Sequence, residues 1–373
     1  MCEGSVKILK KFSLAAYTFS HFAVDYVCLL TVLDPWGMAA EILGGVQGYA
    51  LFVIIYNFLA FGLQMIFGAF CENHRNFPAG AFGCILVLAG ALCRAMIPEA
   101  YPEYSFNLWA AVFLAGIGNA FFHIGGGIDS LVHSGGKLSR SGIYVSSGAI
   151  GVALGIYNCD KFTGGIDFIA LLMIFCAALC FAAHKKAPAE GNADICGIAG
   201  EKIGTGAVIA FALISVLIRS FGGTVIPMEW KNTAELGLLS GFGAFGGKFI
   251  GGFAADIFGA RRTGIISLLF SLPLLIFGRD NVIISVLGVI LFNITMPVTL
   301  GIIAEKIPKN PGIAFGLTTA ALLLGAVPSF FIVLNKGAAL LIPAVIISAV
   351  CIFFAAENKK NKNIKTKTGR NTL

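Results

Sequence analysis

Twelve apolar runs, each long enough to cross a lipid bilayer, constrain this chain more than any other feature of its sequence. A spanning helix needs about 20 mostly apolar residues. Of the 373 residues, 57% are hydrophobic and 12% are charged, and a soluble core cannot bury so much apolar surface. The predicted spans are residues 12–33, 44–70, 78–98, 105–127, 141–160, 166–184, 205–226, 236–257, 263–278, 282–304, 312–334 and 338–356.

The longest polar interruption lies in the middle of the chain and separates six predicted spans from six others. We therefore predict an N-terminal six-helix bundle over residues 1–184, a cytoplasmic linker over 185–204, a C-terminal six-helix bundle over 205–356 and a basic disordered tail over 357–373. The first apolar run is interpreted as a spanning helix, because it lacks the small-residue cleavage site of a signal peptide.

The positions of Lys and Arg predict the orientation in the membrane. If the N-terminus is cytoplasmic, 19 of the 26 Lys and Arg residues lie in cytoplasmic segments and five lie in outer segments. Positive residues favour the cytoplasmic side, so we predict a multi-pass protein of the plasma membrane with both termini in the cytoplasm. The same asymmetry explains the net charge of +7 without a nucleic-acid partner. The ten cysteines show neither metal-ligand spacing nor a disulfide pattern.

An internal repeat relates the two predicted bundles. Two residues that follow the second span recur after the eighth at an offset of 184, and two glycines of the fifth span recur in the eleventh at an offset of 170. Repeats of this kind are typical of secondary transporters, in which the substrate site lies between the halves near the membrane midplane. The matched pairs are Gly68/Gly252, Glu72/Asp256, Gly142/Gly312 and Gly155/Gly325.

The segment GGFAADIFGARR resembles the loop signature of the major facilitator superfamily, in which Gly, Asp and Gly precede a basic pair between two helices. Gly252, Asp256, Gly259, Arg261 and Arg262 fit that pattern. The resemblance implies an all-α polytopic membrane protein with twelve transmembrane helices in two pseudo-symmetric six-helix bundles, which is the major facilitator fold. It also implies that this loop makes gating contacts at the inner face; the alternative is a simple turn that follows the positive-inside rule.

The first-half copy of the loop departs from the signature, because Glu72 replaces the Asp and Arg75 stands in place of the second Gly. Within the superfamily, HFAVD and FFHIGGG are similar to the fosmidomycin-resistance branch, which tends to carry His-x-x-x-Asp and Phe-His-Pro at these places. Here Ile124 replaces the Pro. The fifth helix also lacks the Gly-Pro signature of many drug/proton antiporters, which weakens a drug-efflux interpretation.

In the superfamily the first, fourth, seventh and tenth helices line a central cavity, and the strongest polar residues of this sequence fall on those helices. Lys248 on the eighth helix is a further candidate for substrate contact, unless its side chain snorkels or pairs with Glu229 or Asp25. Candidates on the second helix are Asn57 and Gln64, with hydrogen bonding between helices as the alternative. The implied cavity residues are His21, Asp25, Asn119, His123, Arg219 and Asn293.

His21 and Asp25 lie four residues apart and therefore share one face of the first helix. An ionisable residue within a membrane helix indicates a functional site. We expect this pair to carry a coupling proton, with Asp25 alternating between its protonated form and an ion pair with Arg219. The alternatives are a hydrogen bond that only orders the bundle and a permanent Asp25–Arg219 salt bridge.

Two stripes of small residues, spaced by four, mark the fifth and eighth helices. Small residues let membrane helices approach closely. In the superfamily these two helices meet across the two halves, so we expect close contact there, with sliding or rocking during alternating access. The stripes are Ser147, Gly151 and Gly155 on the fifth helix and Gly243, Gly247 and Gly251 on the eighth.

These features predict a secondary active transporter that moves a small anionic or amphiphilic solute by proton-coupled alternating access. We favour export. The alternative is uptake of a metabolite such as an organic anion or a sugar, and a channel or an intramembrane enzyme is more distant. We expect a monomer in the bilayer without cofactor or metal, whose partners are a small-molecule substrate and protons. A metal enzyme would need a site built from His21, Asp25 and His123.

Overall fold

A computed structural model describes residues 3–33, 38–97, 105–159, 165–334 and 336–357. Every long element within these ranges is a helix, and the only β-type pairing there is an isolated bridge between Ala199 and Ala356. The predicted all-α fold is therefore confirmed. The predicted basic tail lies, beyond residue 357, outside the described part of the chain.

Twelve long helical segments, named α1 to α12, follow one another in the described ranges. Ten of them are long and apolar enough to cross a membrane; the others are α3, which is shorter, and α5, which is rich in Gly and Ser. This architecture is that of a multi-pass membrane protein and is compatible with the twelve predicted spans. The bounds are Glu3–Val32, Val46–Asn73, Ala79–Ala95, Ser105–Val132, Ser139–Asn158, Ile166–Lys186, Thr205–Thr224, Ala234–Phe258, Ala260–Phe277, Val282–Lys306, Pro311–Phe331 and Ala338–Ala355.

Three of these helices are interrupted, and one of them, α11, breaks at Val327, between Pro311–Ala326 and Pro328–Phe331. α2 contains a π-helical turn at Phe58–Gly62. α10 breaks at Ile294, between Val282–Asn293 and Thr295–Lys306. The break follows from Pro297, which has no N–H to donate to the carbonyl oxygen of the residue four positions earlier.

The two halves, α1–α6 and α7–α12, touch through glycines that the repeat had matched. A Cβ atom on Gly252 of α8 would lie 2.6 Å from the carbonyl oxygen of Leu138, and one on Gly142 of α5 would lie 2.9 Å from that of Lys248. The equivalent crossing joins α2 and α11, where a Cβ on Gly312 would lie 2.9 Å from the Cα of Gly68. Both crossings therefore need glycine, because the backbones lie in contact.

The fifth and eighth helices meet as predicted, but most of the small-residue stripes face other helices. α5 and α8 are in close contact, but the stripe glycines Gly151 and Gly155 face the backbone of α1. Gly247 and Gly251 face the carbonyl oxygens of Ile290 and Ile294 on α10. The stripes therefore join helices within each half. Spacing by four identifies a close-packed face, but it does not identify the neighbouring helix.

The linker between α6 and α7 is folded against both halves. The N–H of Ala193 donates to the carbonyl oxygen of Pro308 in the second half, at 2.7 Å. The N–H of Asp194 donates to the carbonyl oxygen of Leu131 at the end of α4, at 3.0 Å. Two adjacent linker residues therefore bond to opposite halves of the molecule.

A carboxylate in the second half holds the next part of the linker. Glu305, near the end of α10, accepts hydrogen bonds of 2.5–2.9 Å from the backbone N–H groups of residues 197–199. Consecutive N–H groups that converge on one anion form a strong, charge-assisted contact. We call this side of the molecule the linker end. α6 continues through Lys186, so the linker begins slightly later than the predicted residue 185. The predicted division into domains stays a prediction.

We expect Gly252→Ala to lower the thermal stability of the protein. The new methyl group would press on the backbone of Leu138 and Ser139 and force α5 and α8 apart, at a cost of about 1–3 kcal/mol. The matched control is Gly246→Ala on the same helix, where the added carbon would meet its nearest atom, on Ile290, at an ordinary 3.7 Å. Thermal unfolding in detergent micelles measures both. Equal midpoints for the two variants would contradict the proposed close crossing.

Candidate functional site

A central cavity of about 640 Å³ lies between the two halves. We call it the wide chamber. It reaches from the buried residues His21 and Asp25 on α1 to the exposed Lys231 in the α7–α8 connection, at the end of the molecule opposite the linker. A second cavity of about 310 Å³, the side chamber, shares Lys248 and Met296 with it. Both volumes lie in or near the usual range for small-molecule sites.

Three ionisable side chains converge on the first-half wall of the wide chamber. Nε2 of His21 lies 2.8 Å from Nε2 of His123. The carboxylate of Asp25 lies 3.3 Å from the first of these atoms and 3.6 Å from the second, and it accepts a hydrogen bond of 3.0 Å from Asn119. All four side chains are buried. The structure therefore brings together the four first-half residues that the sequence analysis had placed on α1 and α4.

Backbone carbonyl groups determine the tautomers of the two histidines. Nδ1 of His21 lies 2.8 Å from the carbonyl oxygen of Tyr144, and Nδ1 of His123 lies 2.9 Å from that of Asn119. A carbonyl oxygen only accepts hydrogen bonds, so both Nδ1 atoms carry hydrogen. In two neutral imidazoles, both Nε2 atoms would then present lone pairs to each other.

Two facing lone pairs at 2.8 Å repel each other unless a hydrogen lies between them. A proton shared between one imidazole and one imidazolium would remove this repulsion. The carboxylate of Asp25 balances this positive charge at 3.3 and 3.6 Å. We call His21, His123 and Asp25 the proton cluster. It lies beside a chamber that extends toward the exposed Lys231.

The same three residues supply one potential metal-ligand atom each, and these atoms lie within 4.8 Å of one another. Two histidine ligands on a tetrahedral zinc ion are separated by about 3.3 Å, given bonds of about 2.0–2.1 Å. The observed separation of 2.8 Å is shorter and is typical of a hydrogen bond. As it stands, the cluster is set for a proton, and a metal ion would require the rings to move apart by about half an ångström.

The second half places two cations beside these chambers, Lys248 at both of them and Arg219 at the side chamber only. Arg219 on α7 is buried, and its Nη2 donates only to the sulfur of Met296, at 3.0 Å. Its Nε atom is buried without a hydrogen-bond partner. Lys248 on α8 lines both chambers, and Asn293 lines the side chamber while its Nδ2 donates to Val289 on its own helix. Neither cation has a carboxylate partner among the described residues.

Asp25 and Arg219 form no ion pair among the described residues of this conformation, which contradicts the permanent salt bridge. The alternation of Asp25 between a proton and Arg219 stays a prediction. Asp25 is held within its own half by the two histidines and Asn119. Lys248 does not pair with Glu229, because Glu229 pairs with Arg279 at 3.1 Å on the surface. Helix depth matched Asp25 to Arg219 in the sequence analysis, but depth alone does not show which neighbour a side chain reaches.

Asn57 and Gln64 on α2 do not line either chamber. Asn57 donates to the carbonyl oxygen of Val53 at 2.8 Å, and Gln64 donates to that of Ala60 at 2.6 Å. Both bonds lie within α2. The predicted substrate contact and its alternative, a hydrogen bond to another helix, are therefore both absent in this conformation.

Two carboxylates close the linker end by capping helices of the opposite half. Asp256 at the end of α8 accepts hydrogen bonds from the N–H groups of Leu138 and Ser139 at the start of α5, at 2.7 and 3.0 Å. Glu72 at the end of α2 accepts from Gly312 and Ile313 at the start of α11, at 2.7 and 3.1 Å. Anions at helix N-termini satisfy free N–H groups and complement the helix dipole.

The remaining residues of the gating loops have local partners. Gly259 adopts a φ of +90° between α8 and α9, which favours glycine. The Nε of Arg261 donates to the carbonyl oxygen of Ala356 at 2.6 Å, and Arg262 also has a partner. Arg75 makes a long 3.4 Å contact with the backbone of Glu72. Asp256 and Arg261 of this loop thus contact backbone groups, and the departure at Glu72 preserves the cap.

Sequence reasoning missed the residues that shape the proton cluster from α5. Tyr144 supplies the carbonyl oxygen for His21 and stacks on its ring at a centroid distance of 4.7 Å. A Cβ on Gly148 would collide with Asp25 and His21. No sequence signal marks a backbone carbonyl. A second missed feature is the buried ion pair of Asp129 with Arg140, at 2.6 Å, toward the linker end.

We expect Glu72→Ala and Asp256→Ala to open the linker end. Each substitution removes a cap that spans the two halves, at a cost of about 0.5–2 kcal/mol, so the open population should rise roughly 2- to 30-fold. Distances between spin labels on the two halves at this end measure the change. Asp280→Asn, an exposed residue after α9, is the control and should leave the distances unchanged. Identical distance distributions in all variants would contradict a gating role.

Comparison with known proteins adds information on the fold. No family model and no curated protein matches the chain. Solved structures do match, and each is one to which this chain is similar at 12–13% sequence identity. A variant of the E. coli fucose:proton symporter FucP has a TM-score of 0.62, with 92% of this chain and 96% of that chain covered.

Two further structures have outward conformations. FucP in the outward conformation has a TM-score of 0.53 and covers 91% of this chain and 98% of its own. A bacterial homologue of the iron transporter ferroportin, in its outward-facing state, has a TM-score of 0.58, with 92% of this chain and 96% of that chain covered. The resemblance to the fosmidomycin-resistance branch stays a prediction, whereas the fold is the one that major facilitator superfamily transporters share.

Proposed function

We propose that this protein is a secondary active transporter that moves a small anionic solute across the plasma membrane by proton-coupled alternating access. The observation that carries the proposal is the wide chamber itself. One wall of it holds the proton cluster and the other wall holds Lys248, while Arg219 lines the adjoining side chamber. Neither cation has a carboxylate partner among the described residues. The structural neighbours FucP and the ferroportin homologue are transporters, which supports this class of function and not catalysis.

The conformation fits one step of alternating access. The wide chamber extends to the end of the molecule opposite the linker, while cross-half caps close the linker end. The excess of Lys and Arg in the linker-end segments assigns that end to the cytoplasm. The structure then corresponds to an outward-open state with both termini inside, and the outward conformations of two similar structures support this assignment.

Proton coupling is proposed for His21, His123 and Asp25. The shared proton lies at the wall of the chamber, and the two imidazoles come from different helices, α1 and α4. A small relative movement of these helices would separate the Nε2 atoms and release the proton. His123, which the sequence analysis placed among substrate contacts, therefore joins the coupling group. That FucP is a fucose:proton symporter supports coupling to protons.

The anionic part of the proposal rests on Arg219 and Lys248. A buried charge without a partner is costly, so two cations beside a chamber favour a solute that supplies negative charge. The guanidinium group of Arg219 can bind carboxylate or phosphate oxygens through two parallel hydrogen bonds. Asn293 would accept a hydrogen bond from the solute through Oδ1. Apolar lining residues such as Val152, Phe315 and Leu322 suit a solute with an apolar part.

We propose export as the direction and keep uptake of an organic anion or a sugar as the alternative. Proteoliposomes with an imposed pH gradient distinguish the two directions. If solute is exchanged for protons, it accumulates on the side with more protons; if it is transported together with protons, it accumulates on the side with fewer protons. A monomer is proposed as the working unit, since the chamber is formed by a single chain.

We expect Asp25→Asn to abolish proton-driven accumulation and to preserve solute exchange. Without the carboxylate, the cluster loses the counter-charge that holds the shared proton. Radiolabelled flux in proteoliposomes, with and without a pH gradient, measures both activities. Asp167→Asn, an exposed residue in the first turn of α6, is the matched control. Full pH-dependent accumulation in Asp25→Asn would rule out the coupling role.

We expect Arg219→Gln to weaken binding of an anionic solute roughly 10- to 150-fold, the value of a charged hydrogen bond of about 1.5–3 kcal/mol. A neutral analogue of the same solute should bind as before. Thermal-shift screening of a metabolite library identifies the solute, and calorimetry then compares the variants. Arg279→Gln removes a surface cation and serves as control. Unchanged anion affinity in Arg219→Gln would show that this residue is only structural.

A further inference from the structure

We propose that the proton cluster is also a binding site for a divalent first-row transition-metal ion, which displaces the shared proton. The donor set consists of two imidazole nitrogens and one carboxylate oxygen, from His21, His123 and Asp25, within 4.8 Å of one another. Imidazole nitrogen favours Fe²⁺, Co²⁺, Ni²⁺ and Zn²⁺ over the oxygen-seeking Mg²⁺ and Ca²⁺. The inference rests on the proposed function in one respect only, which is that the ion enters through the wide chamber.

The second coordination shell of such a site is already present. Histidines that ligate metals almost always donate their other ring N–H to a carbonyl or carboxylate. Both histidines do so here, to the carbonyl oxygens of Tyr144 and Asn119, at 2.8 and 2.9 Å. Each Nε2 lone pair therefore points into the cluster without any change of tautomer. The side chain of Asn119 orients the third ligand through its 3.0 Å hydrogen bond to Asp25.

Space for the ion is available where the ligands converge. Gly148 of α5 presents no side chain there, and a Cβ at this position would collide with Asp25 Oδ2 and His21 Nε2. Three protein ligands leave a coordination position free, and all three line the wide chamber, which can supply water or solute for it. The two Nε2 atoms need to separate from 2.8 Å to about 3.3 Å, which small rotations of the two side chains provide.

The charges around the cluster determine whether it prefers a proton or a divalent metal ion. Asp25 favours any positive charge, whereas Lys248 faces the same chamber from α8 and opposes it. Tyr144 and Tyr56 are neutral neighbours, and the thiol of Cys28 lies behind Asp25, 3.6 Å from Asn119 Nδ2. A divalent ion gains twice the attraction to Asp25, but it must expel the shared proton. Metal binding is therefore expected to compete with protons.

The test is a Co²⁺ titration of the purified, metal-free wild-type protein. We expect about one Co²⁺ per chain, visible bands typical of nitrogen and oxygen ligands, and no sulfur-to-cobalt band. Calorimetry in two buffers of different ionisation enthalpy should show about one proton released for each ion bound, because binding requires deprotonated ligands. These measurements need no variant, so a variant that misfolds leaves the test intact.

Variants then assign the ligands. Loss of an outer-shell partner typically weakens metal binding roughly 10- to 100-fold, and we expect Asn119→Ala to fall within that range. His123→Gln removes a ligand itself and should weaken Co²⁺ binding by more than that. Gly148→Ala should abolish binding, because its methyl group occupies the position of the ligand atoms. His74→Gln removes an exposed histidine directly after α2 and should bind as the wild type does. Each variant is first checked for a monodisperse profile and an unchanged helical spectrum.

Three results would overturn the metal site: no stoichiometric Co²⁺ binding, a thiolate spectrum that assigns the ion to cysteines, or unchanged binding in both His123→Gln and Gly148→Ala. The outcome for proton coupling is separate, because flux is measured in buffer with a chelator. If flux remains proton-driven while Co²⁺ fails to bind, only the metal site is wrong. If Co²⁺ binds at the cluster but flux ignores the pH gradient, the metal site stands and the coupling proposal falls.

Discussion

The 2.8 Å contact between the Nε2 atoms of His21 and His123 is the interaction on which the chemistry of this molecule depends. Both Nδ1 atoms donate hydrogen bonds to backbone carbonyl oxygens, so the two Nε2 atoms face each other with their lone pairs. This arrangement needs a cation between the two Nε2 atoms. Three helices must be in register for this to occur, because α1, α4 and α5 each supply part of the arrangement. Any motion that shifts one of them alters the affinity of the cluster for its cation.

The internal repeat explains how such a motion can be organised. Gly68 and Glu72 form one cross-half contact with the start of α11, and their repeat partners Gly252 and Asp256 form the other with the start of α5. In each contact a glycine permits the helices to touch, and a carboxylate one turn later caps the opposing helix. Two equivalent contacts placed in this way let the halves rotate as units about the chamber.

The sequence was sufficient for the architecture and for half of the site. Long apolar runs determine helices of predictable length, so the observed helix ends lie near the predicted ones, apart from α1, which begins well before residue 12. The polar residues on α1 and α4 were identified because a charge within a membrane helix is rare. Their mutual contacts were not predictable, since they depend on helix rotation and on the carbonyl oxygen of Tyr144.

The linker constrains the amplitude of any opening at its own end. Ala193 is bonded to Pro308 of the second half, and the adjacent Asp194 is bonded to Leu131 of the first. Between Asp194 and residue 197, which Glu305 holds, only two residues are unanchored, and three extended steps cover at most about 11 Å. The halves therefore cannot part widely while these bonds persist. The linker is thus a short tether between the halves, and a wide separation at this end requires that its bonds break.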